Sequence, residues 1–293
     1  MKPVILIFSS VFVLSLFSAC QGREAEKTLQ QVDSNAIPVV KHRWYGFDLL
    51  DILRGIEGKI SVDVSATVQS KNMWYGFDLY DDHGVFIPAA GITLGNTGFS
   101  GKIIGGYCLS GGFVDSQVRH YALFYTGSFL EDTRYVTNFT TNYIYYGMPK
   151  IHGTKSDTQE VGVSLAWPKL LGDNGLLPNY YVGRLWPTRS HSNFEGSEGS
   201  IHILGLAYDF IVPDFWAIGK NQGFRLSGDV TYNDGFGTGA AKHDWSHAVF
   251  GASTNLGNGN ITITPFVNYQ ISMDDSVNKE DEAWCGVNFT YRF

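Results

Sequence analysis

The stretch Ile261-Thr262-Ile263-Thr264-Pro265-Phe266-Val267-Asn268-Tyr269-Gln270-Ile271 decides the fold. Its odd-numbered residues are apolar, and its even-numbered residues are polar except Phe266. A β-strand turns successive side chains to opposite faces, so this is a strand with one greasy face and one mainly hydrophilic face. The same period of two sets Cys285, Val287, Phe289, Tyr291 and Phe293 against Gly286, Asn288, Thr290 and Arg292. It sets Ile60, Val62, Val64, Ala66 and Val68 against Ser61, Asp63, Ser65, Thr67 and Gln69. Phe224, Leu226, Val230 and Tyr232 oppose Arg225, Ser227, Asp229 and Thr231 in the same way.

Carried along the chain, the pattern predicts twelve strands, at 60–70, 85–95, 99–110, 118–129, 135–147, 158–168, 176–187, 200–212, 223–233, 245–257, 260–272 and 282–293. Strands in soluble sandwiches are nearer 5–6 residues, whereas about ten tilted residues cross a hydrocarbon layer. Tight connections (Gly95 to Gly98, Glu131 to Arg134, Gly257-Asn258-Gly259) interleave with longer polar ones (Lys71 to Gly84, Pro187 to Gly199, Asn233 to Asp244, Met273 to Asp281). Looser members of the short set lie around Gly172 and Ile218. This asymmetry predicts an all-β fold, a transmembrane antiparallel up-and-down β-barrel of about 12 strands. Its last strand must pair with its first, because an orphan N–H or C=O in hydrocarbon costs several kcal/mol. An even strand count puts both termini on the periplasmic side. Tyr145, Tyr146, Trp167, Trp186, Trp284, Tyr291 and Phe293, near strand ends, are expected in two aromatic girdles.

Composition narrows the class. Of 293 residues 17% are charged, against ~25% in soluble domains, and 15% are aromatic, which argues against disorder. The net charge of −7 argues against a nucleic-acid partner. Three cysteines are too few for a disulfide scaffold. No apolar run after residue 20 approaches the ~18 residues of a spanning helix. Cys108 and Cys285 fall far apart around the sheet and read as two small buried hydrophobes.

Residues 1–20 read as an export signal: Lys2, an apolar run from Val4 to Phe17, then Ser18 and Ala19 before Cys20. The segment from Leu16 to Cys20 resembles a bacterial lipoprotein signal, which makes Cys20 the lipidation candidate; ordinary cleavage near Ala19 or Cys20 is the alternative. Residues 21–59 form an N-terminal periplasmic tether, in which Leu49, Leu50, Ile52, Leu53 and Ile56 have the spacing of a short amphipathic helix, and residues 60–293 form the barrel. The tether is expected to cap or partly plug the barrel. One echo links the two parts. Trp44-Tyr45-Gly46-Phe47-Asp48-Leu49 recurs as Trp74-Tyr75-Gly76-Phe77-Asp78-Leu79, and two copies do not make a solenoid.

Phe293, preceded by Tyr291 and Phe289, resembles the C-terminal signature read by the barrel-assembly machinery of Gram-negative bacteria. The usual glycine five residues before the final aromatic is replaced by Asn288, with Gly286 nearby. From about Ile60 to Phe293 the chain is similar to the poorly characterised TorF-type porins. The residues that carry the resemblance are Val64-Ser65-Ala66-Thr67-Val68-Gln69-Ser70-Lys71-Asn72-Met73-Trp74-Tyr75-Gly76, Phe99-Ser100-Gly101 and Tyr143-Ile144-Tyr145-Tyr146. Tyr75 stands where family members tend to have Arg, so no role of that Arg transfers. The resemblance implies passive permeation, by analogy of fold.

The same pattern bears on candidate chemistry. Outer-membrane lipases and deacylases carry His-x-Ser-Asn, but Ser190-His191-Ser192-Asn193 sets its histidine and serine side by side, pointing opposite ways in an extended segment. A polar loop is the better reading, and no enzyme is expected. Asp81, Asp82 and His83 offer metal-ligand types, but a solvated loop tip accounts for them. His243, Asp244 and His247 open a strand, where the even spacing of the two histidines puts them on one face but with Cα atoms ~13 Å apart, so no metal or cofactor is expected. Asp274, Asp275, Glu280, Asp281 and Glu282 either meet cations bridging lipopolysaccharide or form a solvated acidic loop. On the inward faces Asp63, Lys102, Glu160, Arg184, Arg225, Asp229 and Arg292 are expected to line the lumen.

The expected function is a porin-like outer-membrane channel for passive diffusion of small polar solutes. The alternative is a structural or surface-interaction barrel with a filled lumen, because wide channels come at 16–18 strands. A lipid-modifying hydrolase ranks third. The expected partners are outer-membrane lipids, lipopolysaccharide, the barrel-assembly machinery and small solutes. Nothing in the sequence names a solute.

Overall fold

The computed structural model describes residues 60–149, 157–172, 174–188, 198–215, 220–237 and 242–293. The export signal, Cys20, the tether and the Ser190–Asn193 loop all lie outside the described residues.

The chain opens with β1 (Ile60–Gln69) and the short strands β2 (Met73–Trp74) and β3 (Phe77–Asp78). It continues with β4 (Val85–Leu94), β5 (Phe99–Cys108), β6 (Val118–Phe129), β7 (Thr137–Gly147), β8 (Thr158–Ala166) and β9 (Leu176–Pro187). The last elements are β10 (Gly199–Phe215), β11 (Lys220–Asp234), β12 (His243–Thr254), β13 (Leu256–Asn258), β14 (Ile261–Ser272) and β15 (Glu282–Arg292). β13 continues β12 along β14, and β2 and β3 pair only with each other. The remaining strands form one antiparallel sheet in chain order, and β15 returns to pair with β1 from Asp63↔Arg292 to Gln69↔Gly286. The result is a closed twelve-strand barrel. No helix among the described residues is long and apolar enough to cross a membrane.

Alternation sets the two faces. Partners across each ladder share a face, so register carries the inward set around the ring. One such row runs Lys102, Ala122, Ile144, Glu160 and Leu185, and it meets Asp63 through Gly91. The outward set includes Val62, Ile103, Leu123, Val161, Leu204, Phe250, Val267 and Phe289, all large, apolar and exposed. Water has no use for such a surface, and hydrocarbon suits it. The strand ends that lead from each odd-numbered crossing to the next even-numbered one share one end of the barrel, called here the loop end, with the connections 70–84, 109–117 and 273–281. The start of β1 and the end of β15 lie at the opposite, turn end.

Several expectations need correction. Tyr146 and Trp284 belong to no girdle: both are inward and buried, at register with His120 and Asn268. Cys285 is exposed on the outer wall, so only Cys108 is partly buried, and both thiols are free. His243 and His247 do not share a face. A bulge opposite the Thr231/Tyr232 step inserts Ser246 and resets the alternation, which leaves His243 exposed beside Asp234 while His247 turns inward. β10 and β11 run further toward the turn end than the sequence pattern indicated.

Leu123, central in β6 and facing outward, tests the membrane-facing wall. Leu123→Arg is expected to cost about 2–4 kcal/mol, and the same change at Leu109, at the loop end, about 0–1 kcal/mol. Denaturant unfolding in lipid vesicles measures both.

Candidate functional site

The loop between β1 and β4 is not the polar connection that its position implies. It carries Trp74, Tyr75, Phe77, Leu79 and Tyr80, and every one of them is buried. The reason is a hairpin folded back into the lumen. Tyr75 and Gly76 adopt φ of 44° and 90°, the two positive values of a type I′ turn between β2 and β3. A side chain on Gly76 would place its Cβ 2.5 Å from His247 Nδ1 and 2.8 Å from Val277, so the turn requires glycine both for its backbone and for its space. Leu79 N–H donates to the Asn72 carbonyl at 3.0 Å, and Gln270 Nε2 donates to the Gly76 carbonyl at 3.0 Å.

The rings of the hairpin meet the wall and the other loops. Trp74 lies 4.6 Å from Tyr75 and 4.9 Å from Phe236, centroid to centroid, the latter edge-on. Phe236 comes from the β11–β12 loop and is held by two 2.7 Å hydrogen bonds with Asn233. Tyr146, Leu185, Ile201 and Val277 complete one continuous apolar core inside the barrel. Met73 packs separately, with Val249, Trp284 and Phe266. Phe266 is thereby explained: the one apolar residue on a polar face supports the hairpin.

Two polar anchors fix the hairpin. The deep one is Glu160. Its carboxylate accepts hydrogen bonds from the hydroxyls of Tyr75 at 3.0 Å and Tyr146 at 2.5 Å, and from Tyr181. Gly162 makes room for this cluster, since a Cβ there would sit 2.7 Å from Asn142 Oδ1. The outer anchor is Lys71, whose ammonium bonds Asp82 and Glu282. Asp78 adds a turn of its own, accepting from the backbone N–H of Tyr80 at 3.1 Å and Asp82 at 2.7 Å. Asp78, Asp82 and Glu282 converge to within 4.8 Å, and Lys71 supplies their countercharge. Burial pushes the Asp78 carboxyl up, and its two backbone donors draw it only part of the way back. At Lys71 burial pulls the pKa down, but the bonds and charges of Asp82 and Glu282 outweigh it and the net shift is upward.

Magnitudes rank these forces. Each fully buried large apolar side chain contributes on the order of 1.5–3 kcal/mol, and a hydrogen bond to a charged group about as much. Five buried hairpin side chains therefore outweigh a single Tyr75–Glu160 bond. The rings hold the hairpin in, and the anchors set its register.

Of the inward charges expected from sequence, Asp63, Lys102, Glu160, Arg225, Asp229 and Arg292 do face the lumen. Glu160 lines no water path, being enclosed by the hairpin and three hydroxyls. Arg184 is on the outer wall, exposed and paired with Glu198. The others populate the turn-end half. Asp63 and Lys102 stand 4.0 Å apart, with Arg292 opposite Asp63 in register. Arg225 grips Asp209 through two 2.6 Å bonds. Asp229 borders a cavity of ≈ 30 Å³ lined also by Ser164, Asn179, Tyr181 and Ser227, with room for a water or two. Asp81, Asp82 and His83 form no common ligand set, because His83 Nδ1 turns to the carbonyls of Tyr80 and Asp81.

No family model matches the chain, and no curated protein matches it. Among solved structures the barrel is similar to the NanC porin, with a TM-score of 0.47, 11% identity, and coverage of 78% of this chain and 98% of that one. It is similar to the KdgM porin at a TM-score of 0.46 and 9% identity, over 80% of this chain and 99% of that one. An outer-membrane channel from Pseudomonas putida F1 gives 0.46 and 9%, over 80% and 96%.

Gly76→Val is expected to expel the hairpin, and Tyr75→Phe to weaken it by about 1–3 kcal/mol through the loss of one of the two hydroxyl donors to Glu160 Oε1, the other being Tyr181. Trypsin cleavage after Lys71, followed by mass spectrometry, checks both: rapid in the first, modestly faster in the second. The Lys71 clip has a definite pH sign. Its pKa is raised on folding, so its contribution is complete below the ordinary lysine value and fades only as pH climbs past that value toward the raised one. Lys71→Met is therefore expected to loosen the hairpin equally at pH 6 and pH 8, measured as faster amide hydrogen exchange over residues 72–80 relative to the parent at each pH.

Proposed function

We propose that the protein is a porin-like channel of a bacterial outer membrane, for passive diffusion of small polar solutes, with its lumen stoppered at the loop end by the hairpin of residues 70–84. One observation carries this reading. The stopper is a separate piece of chain, held by side-chain packing and two anchors, while the turn-end half behind it is lined by Asp63, Lys102, Arg225, Asp229 and Arg292. Lining charges tune what passes a pore. Here three are cationic and two anionic, and Asp209 pairs one of the cations, so no strong preference for either sign is expected. The apolar exterior and the closed ladder favour lipid around the wall, with lipopolysaccharide at the loop end and both ends of the sheet toward the periplasm.

A second reading rests on the apolar core around Trp74 and Phe236. If that core never opens, the barrel is a scaffold for its loops. Conductance in planar bilayers separates the two. Replacing residues 72–80 by a Gly-Ser linker of equal length, in a chain lacking residues 21–56, is expected to raise the unit conductance severalfold over the parent. A silent barrel after that replacement would leave only the scaffold.

A further inference from the structure

The hairpin that fills the lumen has a near-copy in the same chain. Aligning residues 41–51 with residues 71–81 matches Lys41 with Lys71, the six residues from Trp44 to Leu49 with those from Trp74 to Leu79, and Asp51 with Asp81. Tryptophan occurs only seven times in 293 residues, so a six-residue identity led by Trp is not a product of composition. The match selects the residues that make the contacts. Lys71 is the outer anchor, Trp74 and Phe77 enter the apolar core, and the Tyr75 hydroxyl reaches Glu160. Gly76 is the position that admits no side chain, Asp78 caps two backbone amides, and Leu79 is buried. Three positions differ, and His42 stands for the buried Asn72. Leu50 keeps the apolar character of Tyr80, while Arg43 replaces Met73, which packs on Val249 and Trp284.

We propose that residues 41–51 are a second ligand for the lumen site that holds residues 71–81, and that they take that site when the resident hairpin leaves it. Reach permits it. The ten residues between Leu49 and Ile60 extend to about 35 Å, and β1, which starts at the turn end, rises about 33 Å along its ten residues. The segment therefore reaches the loop-end site from the turn-end side. Arg43 in place of Met73 makes it the weaker occupant, in keeping with the resident hairpin's possession of the site. The inference rests on the binding site and not on any solute path.

The test is a cysteine pair, Arg43→Cys with Val249→Cys, in a chain carrying Cys108→Ser and Cys285→Ser. Neither position of the pair is one of the matched contacts. Copper phenanthroline is the oxidant, and the linked peptides are quantified by mass spectrometry. With residues 72–80 replaced by a Gly-Ser linker, a 43–249 disulfide is expected. With the resident hairpin intact its yield is expected to fall at least tenfold, and Trp44→Ala is expected to abolish it in the linker protein. Gly76→Val in the otherwise intact chain is a second route to an empty site, and it serves if the linker protein does not fold. Absence of the disulfide in the emptied barrel overturns the proposal, as does a disulfide that survives Trp44→Ala. If the linker protein that keeps residues 21–56 forms the disulfide while its counterpart lacking them stays silent in the bilayer assay, the channel reading alone is lost.

Discussion

Ring closure is the constraint on which the rest of this structure depends. A backbone amide facing hydrocarbon has no water to turn to, so each must find its partner within the sheet. The β1–β15 ladder removes the last open edge. Only then is an exterior of Val62, Leu123, Leu204, Phe250 and Phe289 tolerable, because it presents side chains and no unmet donors. Closure also creates an inside. Inward residues are shielded from lipid, so charges, hydroxyls and aromatic rings can all be placed there.

The interior is divided accordingly. Toward the loops it resembles the core of a soluble domain, assembled from one hairpin and single residues of other loops: Phe236, Val277 and Met148. Toward the turns it is charged, with Asp63, Lys102, Arg225, Asp229 and Arg292 on the wall. Glu160 marks the boundary. Placed on the wall by the period-two pattern, it would be an uncompensated charge under an aromatic lid; three tyrosine hydroxyls make it tolerable. The strain of a tyrosine at φ 44°, of order 1–3 kcal/mol, is offset by the bond that its hydroxyl makes there.

The wall was legible in the sequence because its rule is local. Alternation in 60–68, 261–271 and 285–293 places every second side chain outside, and the strand ends follow to within a few residues. Three side chains obey that rule against the expectations drawn from their type or position. Tyr146 and Trp284 lie near strand ends, where girdles are expected, but parity alone turns them inward with Ile144 and Gly286. Arg184 failed in the opposite sense, since it shares the outward parity of Val182 and Trp186. The bulge at Ser246 has no local signature, and it swaps the face of His243 against that of His247. The hairpin does carry a local signal inside the connection read as polar: a run of Trp, Tyr, Phe, Leu and Tyr has no reason to sit in a solvated loop.

The Lys71 anchor has a further consequence for how the molecule is made. Lys71 lies two residues beyond the end of β1, and Glu282 is the first residue of β15, so their ion pair straddles the seam between the earliest and the latest strand of the cylinder. The two halves of that clasp are 211 positions apart in the chain. It therefore cannot exist on a nascent or half-assembled sheet, and neither can the enclosure that traps the rings beside it. The stopper is locked in the same event that finishes the wall, which makes a lysine at the rim the signature of a completed cylinder.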